Sequence, residues 1–147
     1  MVSIMSKIVL CDIDGTIANN DHRQHYLKGK KDWDGFFSEL SKDIPIYPVI
    51  NLVNDEHQKG NKIVFLTGRP EKYRYSTTLW LKDFFNFEII LLMRKNNDKN
   101  NKLRVKKEIF NNNFKVNEIL YCIDNDYELL CQWKDLGVKT LDANLII

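Results

Sequence analysis

Short apolar runs at Ile8 to Leu10, Ile63 to Leu66, Glu88 to Met93 and Ile119 to Ile123 recur between amphipathic segments, and Val138 to Leu141 adds another. Runs of this length suit strands, and the stretches between them are long enough for crossovers, so the pattern is a βαβ rhythm. Ahead of the second run, Val49, Ile50, Val53 and His57 recur at helical spacing within Pro48 to Lys59, and Gly60 ends the segment. Tyr73, Leu79, Leu81, Phe84 and Phe85 predict a second helix between Glu71 and Phe85, and Leu129, Leu130, Trp133 and Leu136 predict another before Gly137. Parallel strands require right-handed crossovers. The expected fold is therefore α/β, a Rossmann-like open parallel sheet with helices on both faces and a ligand crevice at the carboxyl ends of its strands. Asp12, Thr67, Arg94 and Asp124 lie at or just after such ends.

Two segments break the rhythm. Ala18 to Pro45 separates the first strand from the next βα unit, and within it Asp32 is placed to cap a short helix carrying Trp33, Phe36, Phe37 and Leu40. A small lid at about 18–45 beside the site is the expectation. Arg94 to Lys102 is a polar loop rich in Asn and Lys, and no repeat or linker divides the chain, so one domain over 1–147 is expected. Its 147 residues, 44% of them hydrophobic, suffice for a sizeable core. Twenty-two Lys and Arg against 20 Asp and Glu leave a formal charge of +2, too little to demand a nucleic-acid partner, so any basic site must be local. Cys11, Cys122 and Cys131 sit in apolar segments without zinc-like spacing, which fits a reduced intracellular setting and no disulfide framework. Met1 to Lys7 has no apolar core of a leader and no run approaches a membrane span, so a cytoplasmic protein without a membrane partner is expected.

The chemistry starts at Asp12 and Asp14. Side chains alternate along a strand, so both carboxylates share a side while Ile13 points into packing, and Gly15 then lets the backbone turn. Like charges this close persist where a hard cation, a shared proton or a reacting phosphate offsets their repulsion. A bare Asp-x-Asp is a weak signal, but the apolar strand before it and Gly15-Thr16 after it sharpen it.

Separated elements then resemble the haloacid dehalogenase superfamily of phosphotransferases. Asp12-Ile13-Asp14-Gly15-Thr16 is similar to its first motif and Phe65-Leu66-Thr67-Gly68-Arg69 to its second. A lysine among Lys102, Lys106 and Lys107 is similar to its third, and Ile123-Asp124-Asn125-Asp126 to its fourth. More closely, Thr67-Gly68-Arg69, Val105-Lys106-Lys107-Glu108-Ile109-Phe110 and Tyr121-Cys122-Ile123-Asp124, followed by Trp133 and Gly137, resemble the 3′-phosphatase domain of bacteriophage polynucleotide kinases. The resemblance implies that Asp12 is the nucleophile of an aspartyl-phosphate mechanism and Asp14 its proton shuttle. Thr67 and Gly68 would meet the phosphate oxygens. Mg²⁺ would be held by Asp12, the Asp14 carbonyl, Asp124 and, where these phosphatases usually carry a second Asp, Asn125. Asp126 either replaces that carboxylate or caps the helix beginning near Tyr127.

Helical geometry helps to choose the lysine. At about 100° per residue from Lys102 to Phe114, Lys106 falls near the centre of the arc of Leu103, Ile109, Phe110 and Phe114, with Lys107 nearer its edge. Lys106 is therefore the candidate to bridge Asp12 and the transferred phosphoryl group. Arg23 and Arg69 are candidates to grip substrate phosphate with their planar forks, and Arg94, with Lys95 and Lys99, could attract a polyanion. His22, His25 and Asp21 are too few for a metal site, His57 reads as structural, and Tyr26 and Trp33 either meet a sugar or base or pack the lid.

The expected function is a Mg²⁺-dependent phosphomonoesterase, a polynucleotide 3′-phosphatase of nucleic-acid end repair acting on a phosphorylated end or a nucleotide. A 5′(3′)-nucleotidase or other small-molecule phosphatase is the alternative enzyme. A phosphate-end binding module without turnover has support only from Asn125 and from Lys102, which, with Asn100, stands where the phage domains carry an Asp and an Arg. Nothing in the chain resembles the Gly-rich Lys-Ser/Thr loop that cradles a nucleoside triphosphate.

Overall fold

Strand β1, Ile8–Cys11, shows how the sheet is built: Val9, Leu10 and Cys11 are all buried, so both of its faces are covered. Alternation sends Val9 and Cys11 to one core and Leu10 to the other. The computed structural model describes residues 6–146. On the first face, Val49, Ile50 and Val53 of α2 (Tyr47–Gln58) and Trp80 and Leu81 of α3 (Arg74–Lys82) pack over Ile63 and Phe65 of β4 (Lys62–Pro70). On the second, Phe110 of α4 (Lys102–Asn113) and Leu129 and Trp133 of α5 (Tyr127–Asp135) pack over Leu10, Val64 and Leu66.

With β5 (Leu91–Arg94), β6 (Ile119–Asp124) and β7 (Thr140–Asp142), the strands form a five-stranded sheet in the order β5-β4-β1-β6-β7, every neighbouring pair parallel. The expected α/β sheet with helices on both faces is what is observed. The chain runs outward from β1 through β4 to β5, then crosses back under α4 to β6 and β7. This reversal beside β1 opens a crevice at the carboxyl ends of β1, β4 and β6.

Between β1 and α2 the chain makes a small insertion. Its base is a two-stranded antiparallel pair, β2 (Ala18–Asn19) and β3 (Ile44–Pro45). Above it lie a 3₁₀ segment, Asp21–Leu27, the short helix α1 (Trp33–Ser38) and a 3₁₀ turn, Leu40–Lys42. The Asp32 side chain caps α1, accepting from the Gly35 N–H at 2.9 Å.

Element limits differ from expectation in several places, among them β5, which pairs only from Leu91 and runs to Arg94 although the apolar run begins at Glu88. Glu71–Tyr73 is a 3₁₀ turn, and α3 stops at Lys82 because the chain tightens, with the N–H groups of Phe84 and Phe85 both donating to the Leu81 carbonyl. Ladder pairing of the fifth expected strand begins at Thr140, since the Val138 N–H is taken by the Trp133 carbonyl at the end of α5. Among the described residues no helix is long and apolar enough to cross a membrane, while the expectation for the leader falls largely on residues 1–5, outside those described.

Candidate active site

The Asp12 N–H donates to the Ile123 carbonyl at 3.0 Å, carrying the β1–β6 ladder one residue beyond the strand. The chain then folds back: the N–H groups of Thr16, Ile17 and Ala18 all converge on the Ile13 carbonyl, and Gly15 takes φ +78°. A side chain at Gly15 would also meet the Asn125 amide at 2.3 Å, so two constraints demand glycine there. This loop holds Asp12 and Asp14 over the crevice and supplies the Thr16 hydroxyl, which donates to Asp12 Oδ2 at 2.9 Å.

Each carboxylate has its own cations. Lys106, on the second turn of α4, is buried, whereas Lys107 beside it is exposed. Lys106 Nζ donates to Asp12 Oδ1 at 2.7 Å and to Asp124 Oδ2 at 3.2 Å. Burial works against the ammonium, but Asp12 and Asp124 overcome it and hold Lys106 charged. Asp12 lies the other way: burial first, then the Asp124 charge, push its carboxyl up to about 7 against the pull of Lys106. Asp124 ends β6, and its Oδ1 accepts the N–H groups of Asn125 and Asp126 at 2.8 and 3.2 Å, fixing the turn into α5. The Asn125 side chain, its amide turned to suit the surrounding oxygens, donates from Nδ2 to Asp12 Oδ2 and the Asp14 carbonyl, each at 3.1 Å.

Asp14 faces two arginines. Arg69 makes a two-pronged pair with it, Nε to Oδ2 at 3.0 Å and Nη2 to Oδ1 at 2.8 Å, and Arg23 Nη2 donates to Oδ1 at 2.7 Å. Burial raises the Asp14 carboxyl, yet Arg69 and Arg23 more than offset it and hold it at about 2. Sequence reasoning missed the residue that anchors this group. Asp43, buried in the lid, accepts from Arg23 Nε at 2.8 Å and Nη2 at 2.7 Å, from Arg69 Nη2 at 3.2 Å, and pairs with His22 Nε2 at 2.7 Å. The Phe36 ring lies 4.2 Å beneath the Arg23 guanidinium. A signal existed: two arginines in apolar surroundings need more negative charge than Asp14 supplies.

Arg23 and Arg69, expected to grip substrate, are here 0% and 1% exposed, and their forks are committed to Asp14 and Asp43. Carboxylate and phosphate oxygens attract the same fork, and folding has supplied carboxylates. Arg94 likewise turns to its own backbone, with Nε on the Gly68 carbonyl at 2.8 Å and Nη1 on the carbonyls of Asp98 and Asn100. Thr67 is buried where the β4–β5 register shifts, its hydroxyl accepting from the Arg69 N–H at 3.1 Å. Asp126 caps α5 through the Leu129 N–H and pairs with Lys102. His57 stacks on Phe87 with ring centres 4.3 Å apart.

Residues 6–145 match the family described as the polynucleotide kinase PNKP phosphatase domain. The chain belongs to this family. As a phosphatase domain of the polynucleotide kinase group it is a hydrolase of the haloacid dehalogenase type. It is 25% identical over 137 residues to a putative bifunctional polynucleotide kinase/RNA ligase of Autographa californica nuclear polyhedrosis virus, covering 92% of this chain and 19% of the relative. A solved Pnkp1/Rnl/Hen1 RNA repair complex contains a chain that is 25% identical, with a TM-score of 0.77 over 93% of this chain and 42% of that one. The class C acid phosphatase of Bacillus anthracis with tungstate bound shares the fold, with a TM-score of 0.59, 18% identity, and coverage of 88% of this chain and 54% of that one. The phosphatase domain thus spans about a fifth of the viral relative and less than half of the repair-complex chain.

Proposed function

We propose that this phosphatase domain removes the 3′-phosphate from a nucleic-acid end through an aspartyl phosphate on Asp12. The observation that carries the reading is the division of cations, with Lys106 shared by Asp12 and Asp124 on one side of the crevice and Arg23 and Arg69 on Asp14 at the other. One carboxylate is thereby placed to attack phosphorus while the other, held apart, handles the proton. Asp12 bonds to phosphorus as the bond to the leaving oxygen breaks, and Asp14 delivers a proton to that oxygen. The arginines keep Asp14 ionised in the resting protein, and an arriving phosphate dianion favours its protonated form. In the second half, ionised Asp14 takes a proton from the water that attacks phosphorus, and the bond from phosphorus to Asp12 breaks, releasing inorganic phosphate and restoring the Asp12 carboxylate. Lys106 offsets charge on Asp12 and on the phosphoryl group. Membership of the family and the viral kinase/ligase relative support a nucleic-acid end as the substrate.

The donor set suits Mg²⁺. Asp12 Oδ2, the Asp14 carbonyl and the Thr16 hydroxyl converge within 3.1–3.3 Å of the Asn125 amide nitrogen, a cradle of hard oxygens around a positively polarised group. Among the described residues no three His, Cys, Asp or Glu side chains cluster to hold a metal, so Asp12, Asp124 and the Asp14 carbonyl would hold the ion, with Asn125 joining them by turning its amide oxygen inward in place of the nitrogen. Bound there, Mg²⁺ supplies charge neutralisation to the phosphate.

Phosphate release from p-nitrophenyl phosphate with Mg²⁺ tests the chemistry. Asp12→Asn is expected to lower kcat by roughly 10⁶-fold, the scale of losing a nucleophile, and activity surviving in that variant removes the assignment. A 3′-phosphorylated oligonucleotide should be hydrolysed faster than 3′- or 5′-mononucleotides at equal concentration. Equal or faster turnover of mononucleotides defeats the end-processing reading in favour of a nucleotidase.

A further inference from the structure

Residues 28–34 of the lid are all exposed, and they read Lys28-Gly29-Lys30-Lys31-Asp32-Trp33-Asp34. Both carboxylates of this run are engaged locally, Asp32 as the cap of α1 and Asp34 with Lys72 Nζ and the Tyr73 hydroxyl, each at 3.0 Å. Lys28, Lys30 and Lys31 are left without an ion pair among the described residues. Trp33 is 49% exposed, and the Lys31 ammonium stands 5.6 Å from its ring centre. Half of this indole faces solvent beneath the Lys31 ammonium, which leaves a ring face open to stacking beside a cation.

The patch runs toward the site at both ends. Inward from Trp33, the Phe36 ring follows at 5.9 Å, then the Arg23 guanidinium over that ring, then Asp14. Sideways, Trp33 stacks with Phe37, Phe37 meets Tyr73 at 4.9 Å, and the Lys72 N–H reaches Asn96 of the loop that carries exposed Lys95 and Lys99. Arg94 ties that loop to Gly68 beside Thr67. Basic side chains interleaved with an exposed aromatic face are what a flexible polyanion with planar bases requires, phosphates on the ammonium groups and a base on the ring.

We propose that this strip is the docking track for the single-stranded polynucleotide whose terminal phosphate enters the crevice, with Lys28, Lys30 and Lys31 on its phosphates and Trp33 under a base. The proposal rests on the nucleic-acid-end reading above, and its test is arranged so that the two can fail separately. Trp80 and Trp133 are buried, so quenching of exposed indole emission reports Trp33.

The probe is a 3′-hydroxyl oligothymidylate of about ten nucleotides, within the span one small domain covers, added to the full chain, where no turnover is needed. The wild type should show saturable quenching that is absent in Trp33→Phe, a variant that keeps a ring against Phe36 and Phe37. The triple change Lys28→Ala, Lys30→Ala, Lys31→Ala should weaken oligonucleotide binding by roughly tenfold at low salt and flatten its salt dependence. It should raise KM for a 3′-phosphorylated oligonucleotide and leave p-nitrophenyl phosphate turnover unchanged. Absence of quenching, unchanged affinity in the triple variant, or capture by phosphatidylserine vesicles without oligonucleotide binding overturns the track. If oligonucleotide phosphates are never hydrolysed while quenching and its loss in the variants persist, the track stands and the end-processing reading falls.

Discussion

Asp43 belongs to no motif, yet Arg23, Arg69 and His22 all converge on it in the buried interior of the lid. Removing it leaves two buried guanidinium groups with the single carboxylate of Asp14 between them. Asp43→Ala should therefore cost about 3–5 kcal/mol, the usual loss on breaking a buried ion pair, read as a drop in thermal midpoint. Asp43→Asn keeps the shape and an acceptor, so it should fold better. Because Asp43 acts through the arginines on Asp14, Asp43→Asn leaves their charge less neutralised and Asp14 held ionised more strongly, so it should lower kcat and move the alkaline limb of the pH–rate profile to lower pH while KM changes little; a variant with an unmoved profile would make Asp43 purely structural. At this scale the local motif was legible: Asp12, Asp14, Thr16 and Gly15 lie within one turn of chain, and Lys106 stood out from helical periodicity. Asp43 was not, since its partners Arg23 and Arg69 are 20 and 26 residues away and nothing local marks the contact. The roles of Arg23 and Arg69 were illegible for a different reason, because a guanidinium fork fits a carboxylate and a phosphate alike.

The lid is held as an element by a few tight contacts. A Cβ on Gly35 would stand 2.5 Å from both Asp32 Oδ2 and a Tyr26 ring carbon, so Gly35→Ala must displace the cap or the ring. Overpacking of this kind costs about 1–3 kcal/mol, here confined to the lid. The expected result is faster tryptic cleavage at Lys28, Lys30 and Lys31, with hydrogen exchange in β1 and β4 unchanged; slower or equal cleavage would show that the lid absorbs the methyl. The capped helix α1 was visible in the sequence because Asp32 and the aromatic spacing after it are local signals. The break between Glu71–Tyr73 and α3 was not, because the 3₁₀ turn is pinned by contacts to other elements, Lys72 to Asp34 and Asn96 and Tyr73 to Phe37.

For the whole molecule, the sheet order puts β1 in the middle and β5 and β7 at the edges. Amides of β1, shielded on both sides, should exchange only through global unfolding, while those of the lid and of β5 exchange through local opening; protection of β5 matching that of β1 would refute the ordering. The alternation of apolar runs made this parallel architecture legible, since buried strands flanked by crossovers have few other solutions. Strand order leaves a less obvious mark on the chain's synthesis. β1 is made well before either strand that flanks it, and a polypeptide halted just past Pro70 carries Asp12 and Asp14 against one neighbour only. The ammonium of Lys106 and the carboxylate of Asp124 do not yet exist at that stage. On the proposed mechanism such a chain lacks two of the charged groups around Asp12, and a polypeptide terminated before Lys106 is expected to be inert toward phosphate esters.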